Sequence, residues 1–360
     1  MTMKNSKSLI ISIAIALSLV FGGNTPVLAA LPPGNAVKDP YAILRNALPI
    51  EQKELRALQH KLEETSDLVR GNRWPAVNKA ATSSQFLLSK NKSKIVDSIP
   101  TERRKEGESL ISSLKENLDN LGEYSSAKDK IKFIDERRKS LRKIGTLESL
   151  LLSEEFPFEI PKEYDKLPRL LGRAEVLIKT TKGNMTAIID GYNAPLTGGA
   201  FIDLALKGFY DGLPFARAED FYVLQTGDPK GNDIGYIDPE SKEERHVPLE
   251  IKVPGKSQTT YNKTFEDLGL YTETPVLPFA TLGTLGWAHS SEALDDGSSQ
   301  FFFFLYEAEL NPAGRNLIDG RNAAFGYVVE GSEILNQLGV NDEIIAIKVE
   351  NGSEKLKENA

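Results

Sequence analysis

Apolar residues recur along the first half of the chain at intervals of three, four and seven. Leu44 and Leu48, then Leu55, Leu58, Leu62 and Val69, share one helical face. Gly71 and Pro75 punctuate the pattern, and Val77, Ala80, Ala81, Phe86 and Leu87 predict a further helix. Pro100, tolerated in a first helical turn, opens another, striped by Leu110, Leu114, Leu118 and Leu121 with Gly122 placed to stop it. Ser126 and Asp129 have capping-box spacing ahead of a last helix carrying Ile131, Ile134, Leu141, Ile144, Leu147 and Leu151. Amphipathic helices in succession must bury their stripes on one another. The prediction is an α-helical bundle over residues 30–152.

The texture changes at Phe156-Pro157 through Leu167-Pro168, where three prolines exclude continuous helix and predict a linker over 153–171. Its extended form also suits it to occupy a proline-binding groove elsewhere in the chain. Beyond it the period becomes that of strands. Ala174–Lys179 and Met185–Ile189 flank Lys182-Gly183-Asn184 as a hairpin. Further strands are predicted at Phe221–Gln225, Thr281–Ala288, Gln300–Leu305, Ala324–Val329 and Glu343–Val349, with helices at Pro195–Lys207 and Ser332–Leu338. Many strands with two short helices point to a closed β-barrel over 172–350, because closure leaves no exposed edge. The polar stretch from Gly231 to Phe279 reads mostly as a surface excursion, and 351–360 as a tail. The fold class is α+β in two domains.

Composition narrows the function. There is no cysteine, which removes disulfides, thiol nucleophiles and thiolate metal sites. Lys4 and Lys7, an apolar run from Leu9 to Phe21 and small residues at Ala29-Ala30 have the order of a cleavable Sec-type leader over 1–29. That run is shorter than the ~20 apolar residues needed to span a bilayer. The formal charge is −7, and without the leader 42 basic against 51 acidic residues give −9. Such a chain has no attraction for nucleic acid or anionic lipid. The expectation is an exported protein with no stable membrane insertion once the leader is cleaved.

Phosphate-binding, dinucleotide-binding and hydrolase motifs are missing, so no cofactor is expected. His60, His246 and His289 lie far apart without neighbouring ligands, so no metal is expected either. Three segments remain. Phe215-Ala216-Arg217 precedes Gln225-Thr226-Gly227-Asp228. Trp287-Ala288-His289 leads to Ser298-Ser299-Gln300-Phe301-Phe302. Leu317-Ile318-Asp319-Gly320 precedes Phe325-Gly326-Tyr327-Val328.

In this order and spacing the segments resemble the cyclophilin family of peptidyl-prolyl isomerases over about 172–350. The whole chain, with its helical first half, leader and Asp39-Pro40-Tyr41-Ala42-Ile43-Leu44-Arg45 opening, resembles the large thylakoid-lumen cyclophilins of cyanobacteria and chloroplasts. The resemblance implies an eight-stranded barrel capped by two helices, proline-containing client segments as partners, and a role around photosystem II assembly. It implies Arg217 as catalytic hydrogen-bond donor, with Gln225 orienting it or binding the rotating carbonyl. It implies a substrate groove of Phe215, Tyr222, Val223, Ala288, His289, Gln300, Phe301, Phe302, Leu317, Ile318 and Asn322. Tyr222, Val223, His289, Leu317 and Asn322 stand where the family carries Phe, Met, Asn, Trp and His, and Ala216 replaces the His beside the arginine. A remodelled pocket with weak cyclosporin binding follows. Two functions are then open: a cyclosporin-insensitive isomerase in the thylakoid lumen or periplasm, or a proline-binding chaperone scaffold autoregulated by its helical domain.

Overall fold

The computed structural model describes residues 37–152, 155–306 and 318–358; the predicted leader and Leu317 lie outside them. Asp39 caps α1 (Pro40–Asn46), its carboxylate accepting the amide hydrogens of Tyr41 at 2.9 Å and Ala42 at 3.4 Å. Then come α2 (Lys53–Glu63), α3 (Thr65–Arg70), α4 (Trp74–Ser98), α5 (Arg104–Ser126) and α6 (Lys130–Leu150). Leu55, Leu58, Leu62, Leu114, Leu118, Leu121, Ile144 and Leu147 are buried together, as their spacing predicts.

Five local readings change. Pro75 lies in the first turn of α4 and starts that helix rather than breaking it. Gly122 sits inside α5, where a Cβ would come within 3.0 Å of Gln85 Nε2, so it serves close packing instead of a stop. The cap of α6 is Asp129 itself, accepting from the Lys132 amide at 3.1 Å. Phe86 and Ile131, taken as core, are 63% and 82% exposed. Ile43, Leu44 and Ala47 of α1 leave the bundle altogether and pack into the barrel's apolar cluster.

The second half contains β1 (Arg169–Leu170), β2 (Arg173–Thr180), β3 (Gly183–Asp190), α7 (Pro195–Leu206), β4 (Leu213–Pro214), β5 (Arg217–Glu219) and β6 (Val223–Thr226). It continues with β7 (Glu250–Ile251), β8 (Thr260–Tyr261), β9 (Thr284–Trp287), β10 (Phe301–Phe304), β11 (Ala324–Glu330), β12 (Glu343–Asn351) and β13 (Leu356–Lys357). The main sheet runs β4-β12-β2-β3-β11-β9-β10-β6-β5 and is antiparallel at every pairing. Its closure hangs on two residues. The Phe215 amide donates to Asp342 O at 3.0 Å on one edge, and the Ala216 amide to Gln225 O at 2.9 Å on the other. β4 and β5 are thus two halves of one bent strand, and the nine segments close as an eight-stranded barrel.

The predicted helix Ser332–Leu338 is instead a 3₁₀ helix over Ser332–Gln337, leaving α7 as the barrel's α-helix among the described residues. The 231–279 stretch gives no barrel strand, but it is not mere excursion. Val247, Leu249, Ile251, Phe265, Leu277 and Phe279 are buried, and β7 pairs with β8. Glu250 reaches from this layer to the start of α7, where its carboxylate accepts the amide hydrogens of Leu196 and Thr197 at 3.1 and 3.0 Å. The predicted tail is also drawn in, since Leu356–Lys357 pair with Arg169–Leu170.

The linker lies along the barrel. Phe156 stacks on Tyr192, Lys252 stands over the Phe158 ring at 3.5 Å, and Tyr164 packs on Tyr261. Helical and barrel domains meet through α1. Arg173 ties Asp190 to the Leu44 carbonyl, Asn193 donates to Ala47 O at 3.0 Å, and Tyr41 and Arg142 both reach Glu330.

Candidate active site

Strand alternation decides which side chains share a surface. Cross-strand partners are Arg217 with Gln225, Glu219 with Val223, Gln225 with Phe302, Val223 with Phe304, and Phe302 with Gly286. These residues form the outer face of the barrel along β5, β6, β10 and β9. Leu224, Phe301, Phe303 and Leu285 point the other way, into the core.

The groove expected from sequence is therefore split. Arg217, Tyr222, Val223, Gln225, Gln300 and Phe302 come together at the outer face. Phe301 and Phe215 do not. Phe301 packs on Phe201, Tyr210 and Phe325, and Phe215 on Phe303, with 0% and 1% of their surface exposed. Both belong to the barrel interior: alternation along β10 turns Phe301 away from the face of Phe302, and Phe215 turns inward at the bend between β4 and β5. Ala288 follows β9, and its amide donates to Gln300 O at 3.1 Å. His289 is tied into its own loop: Nδ1 faces the carbonyls of Ser290 and Ala293, and Nε2 that of Arg321 at 3.1 Å. Asn322 leans on Trp287 O at 3.5 Å, and Ile318 is buried at 7% exposure.

Arg217 stands half exposed on β5. Glu219, two residues on and hence on the same face, accepts from its Nε at 2.7 Å and its Nη2 at 2.6 Å. The guanidinium also lies 5.9 Å from the centre of the Tyr222 ring. Gln225 does not hold the arginine. Its amide donates to Gln300 Oε1 at 2.8 Å, and Gln300 in turn donates to Asp228 Oδ1 at 3.1 Å and Ile234 O at 2.9 Å. Gly227 makes this row possible: its φ is +92°, and a Cβ there would meet Ser299 O at 2.5 Å.

Beside the polar row lies an aromatic floor. Phe302 rests over Gly286, whose Cβ would fall 2.3 Å from its ring, and Phe279 stacks on it at 5.8 Å with planes 12° apart. Phe304 meets Phe279 edge-on, and Tyr222 meets Phe304 at 6.3 Å. Sequence reasoning missed Glu219, Phe279 and Phe304. Glu219 was legible from the Arg-Ala-Glu alternation once a strand was assigned there. Phe279 sits in a polar stretch with no period of its own. Among the described residues no group of three or more His, Asp or Glu is placed to hold a metal ion. The surface this builds is a cation edge and an amide row beside a desolvated aromatic patch, with no nucleophile–base pair on it.

Comparison with known proteins bears on the same residues. Residues 39–152 match the family described as CYP38-like peptidyl-prolyl cis-trans isomerase, PsbQ-like domain. Residues 175–356 match the cyclophilin-type peptidyl-prolyl cis-trans isomerase family. A Synechocystis sp. protein named as a thylakoid lumen peptidyl-prolyl cis-trans isomerase, sll0408, is 46% identical over 92% of this chain and 88% of its own. The chloroplastic isomerase CYP38 of Arabidopsis thaliana is 36% identical over 92% of this chain and 78% of its own. A Cryptosporidium parvum cyclophilin-type isomerase, solved in the presence of the dipeptide Ala-Pro, covers 49% of this chain and 99% of its own at 20% identity and a TM-score of 0.34.

Proposed function

We propose that this chain, which belongs to the cyclophilin-type peptidyl-prolyl cis-trans isomerase family and within it to the CYP38-like group with a PsbQ-like helical domain, isomerises X–Pro bonds at the outer-face groove around Arg217. The observation that carries this reading is the convergence of Arg217, Gln225, Gln300 and Phe302 on one face of β5, β6 and β10.

An uncatalysed X–Pro bond turns over in tens to hundreds of seconds because amide conjugation resists rotation. Raising that to about 10³ per second takes some five decades, or roughly 7 kcal/mol. No covalent step is needed. The proline ring sits on the aromatic floor at Phe302 while the flanking carbonyl rotates beside the amide row. Arg217 donates to the twisted state, in which the prolyl nitrogen regains its lone pair. Glu219 occupies the Nε and Nη2 donors, so the Nη1 edge of the guanidinium is the one turned to substrate. A charge-assisted bond of this kind contributes about 1.5–3 kcal/mol. Desolvation by Phe302, Phe304 and Tyr222 strengthens it.

The chain acts in the thylakoid lumen on proline-bearing segments of proteins assembled there, photosystem II among them. The charged and apolar leader supports this reading, as do relatives named as lumen and chloroplast proteins. A second reading, a proline-binding scaffold with little turnover, draws on Glu219, which already neutralises the donor, and on Phe279, which covers much of Phe302. An isomerisation assay on an Ala-Pro peptide separates the two. Wild type accelerates exchange and Arg217→Ala loses at least about tenfold, in line with the loss of one charged donor. Equal rates for wild type, variant and buffer overturn the enzyme reading.

A further inference from the structure

The hairpin that presents Arg217 carries an anomaly at its tip. Glu219 of β5 pairs with Val223 of β6, leaving the three-residue loop Asp220-Phe221-Tyr222, and the Tyr222 amide closes the turn on Glu219 O at 3.0 Å. A three-residue hairpin of this type needs one residue in the left-handed region. Here it is Phe221, with φ +61°. Other described non-glycine residues at positive φ are Asn72, Lys128, Lys242 and Asn262, none of them aromatic. A bulky side chain is strained in that region, whereas glycine or asparagine is at ease there. The same residue leaves 59% of its surface in water. It is unfavourable on both counts, and no burial in the free protein compensates.

Strain that persists without a packing return belongs to sites that bind. Its neighbours say what is bound. Tyr222, the next residue, is 38% exposed and lies against the Arg217 guanidinium, and Glu219, just before the loop, holds that guanidinium. At the other end of the polar row, Ile234 is 76% exposed, and its carbonyl accepts from Gln300. Exposed apolar side chains thus bracket the Arg217–Gln225–Gln300 row. Resting on the reading of that row as the proline groove, we propose that Phe221 is a specificity-determining residue, selecting client segments with a large apolar side chain flanking the prolyl bond. Covering an exposed ring of this size corresponds to a preference of roughly tenfold.

The test is a set of dissociation constants, measured by NMR titration on the intact chain without its leader. Two proline-peptide series carry leucine or serine in turn at each position flanking the proline. The wild type is expected to prefer leucine by about tenfold at one or more positions. Phe221→Asn, which removes the ring and suits the backbone, is expected to abolish that preference without lowering Tm. Phe221→Leu, which keeps an apolar side chain under the same strain, retains most of it. Arg217→Ala, which removes the donor to the twisted state, leaves the ratio of the two series intact. An unchanged leucine-to-serine ratio in Phe221→Asn, or no preference in the wild type, overturns the proposal while the groove stands. Peptide-induced shift changes that bypass Arg217, Gln225 and Gln300 remove the groove and the proposal with it.

Discussion

Arg217 is held by a carboxylate on its own strand, not by the glutamine opposite. That arrangement fixes the guanidinium plane but lowers the positive potential offered to a substrate carbonyl. Both partners are about half exposed, so the pair is worth at most about 1 kcal/mol and is sensitive to salt. Glu219→Gln keeps an acceptor and removes the charge. It is expected to raise kcat/KM on an Ala-Pro peptide by up to about fivefold. Wild-type rates should rise with ionic strength and those of the variant should not; a variant slower than wild type at every salt concentration contradicts this account. The sequence made Arg217, Gln225 and Phe302 legible because they sit in ordered blocks. It could not assign Phe215, which sits at the bend between β4 and β5, or Phe301, since four consecutive phenylalanines from Phe301 to Phe304 carry no polar alternation to tell one face from the other. Only the register with β6 and β9 sorts them.

Among elements, α7 depends on a residue some fifty positions away. Glu250 is fully buried, and burial pushes its carboxyl up to about 7, against the pull of the Thr197 and Leu196 amides. Glu148 in α6, also buried, is raised to about 7 despite Arg56 at 3.1 Å. A carboxyl raised in the folded state binds a proton there that the unfolded chain has released. Stability from these groups is therefore full below the unfolded value near 4.5 and is lost as pH rises through 7. Each contributes up to about 3 kcal/mol. Tm is expected to fall between pH 5 and pH 8. Glu250→Gln, neutral at both, should flatten part of that fall and leave the share of Glu148. An unchanged slope in the variant contradicts the assignment. The helix α7 was legible from its own residues. Its cap was not, because Glu250 lies in a segment whose buried positions follow no helical or strand period.

The molecule as a whole is two domains sharing a seam. α1 starts the helical domain yet sends Ile43, Leu44 and Ala47 into the barrel cluster, and Arg173 joins Asp190 of β3 to the Leu44 carbonyl. Asp190 is wholly buried, so Arg173→Ala leaves an uncompensated charge and is expected to cost about 3–5 kcal/mol. It should also split one thermal transition into two, read by calorimetry; a single transition at the wild-type Tm contradicts the seam. The sequence expectation of contact between the helical domain and the barrel is met. Linker contacts fall on Tyr192, Lys252 and Tyr261, and α1 and α6 contacts on Arg173, Asn193 and Glu330, while Lys38, just before α1, stands over the Tyr306 ring that packs on Phe304 of the aromatic floor. Two-domain order was readable because helical and strand periods change at the prolines; the seam was not, because α1 has the same leucine spacing as the bundle it leaves. With Arg217 half exposed, the intact chain should both bind and turn over a proline peptide. NMR exchange spectroscopy on one sample reads both at once. Peptide shift changes together with cis–trans exchange cross-peaks are expected in the wild type, and loss of the cross-peaks in Arg217→Ala. Shift changes without exchange in the wild type would contradict it.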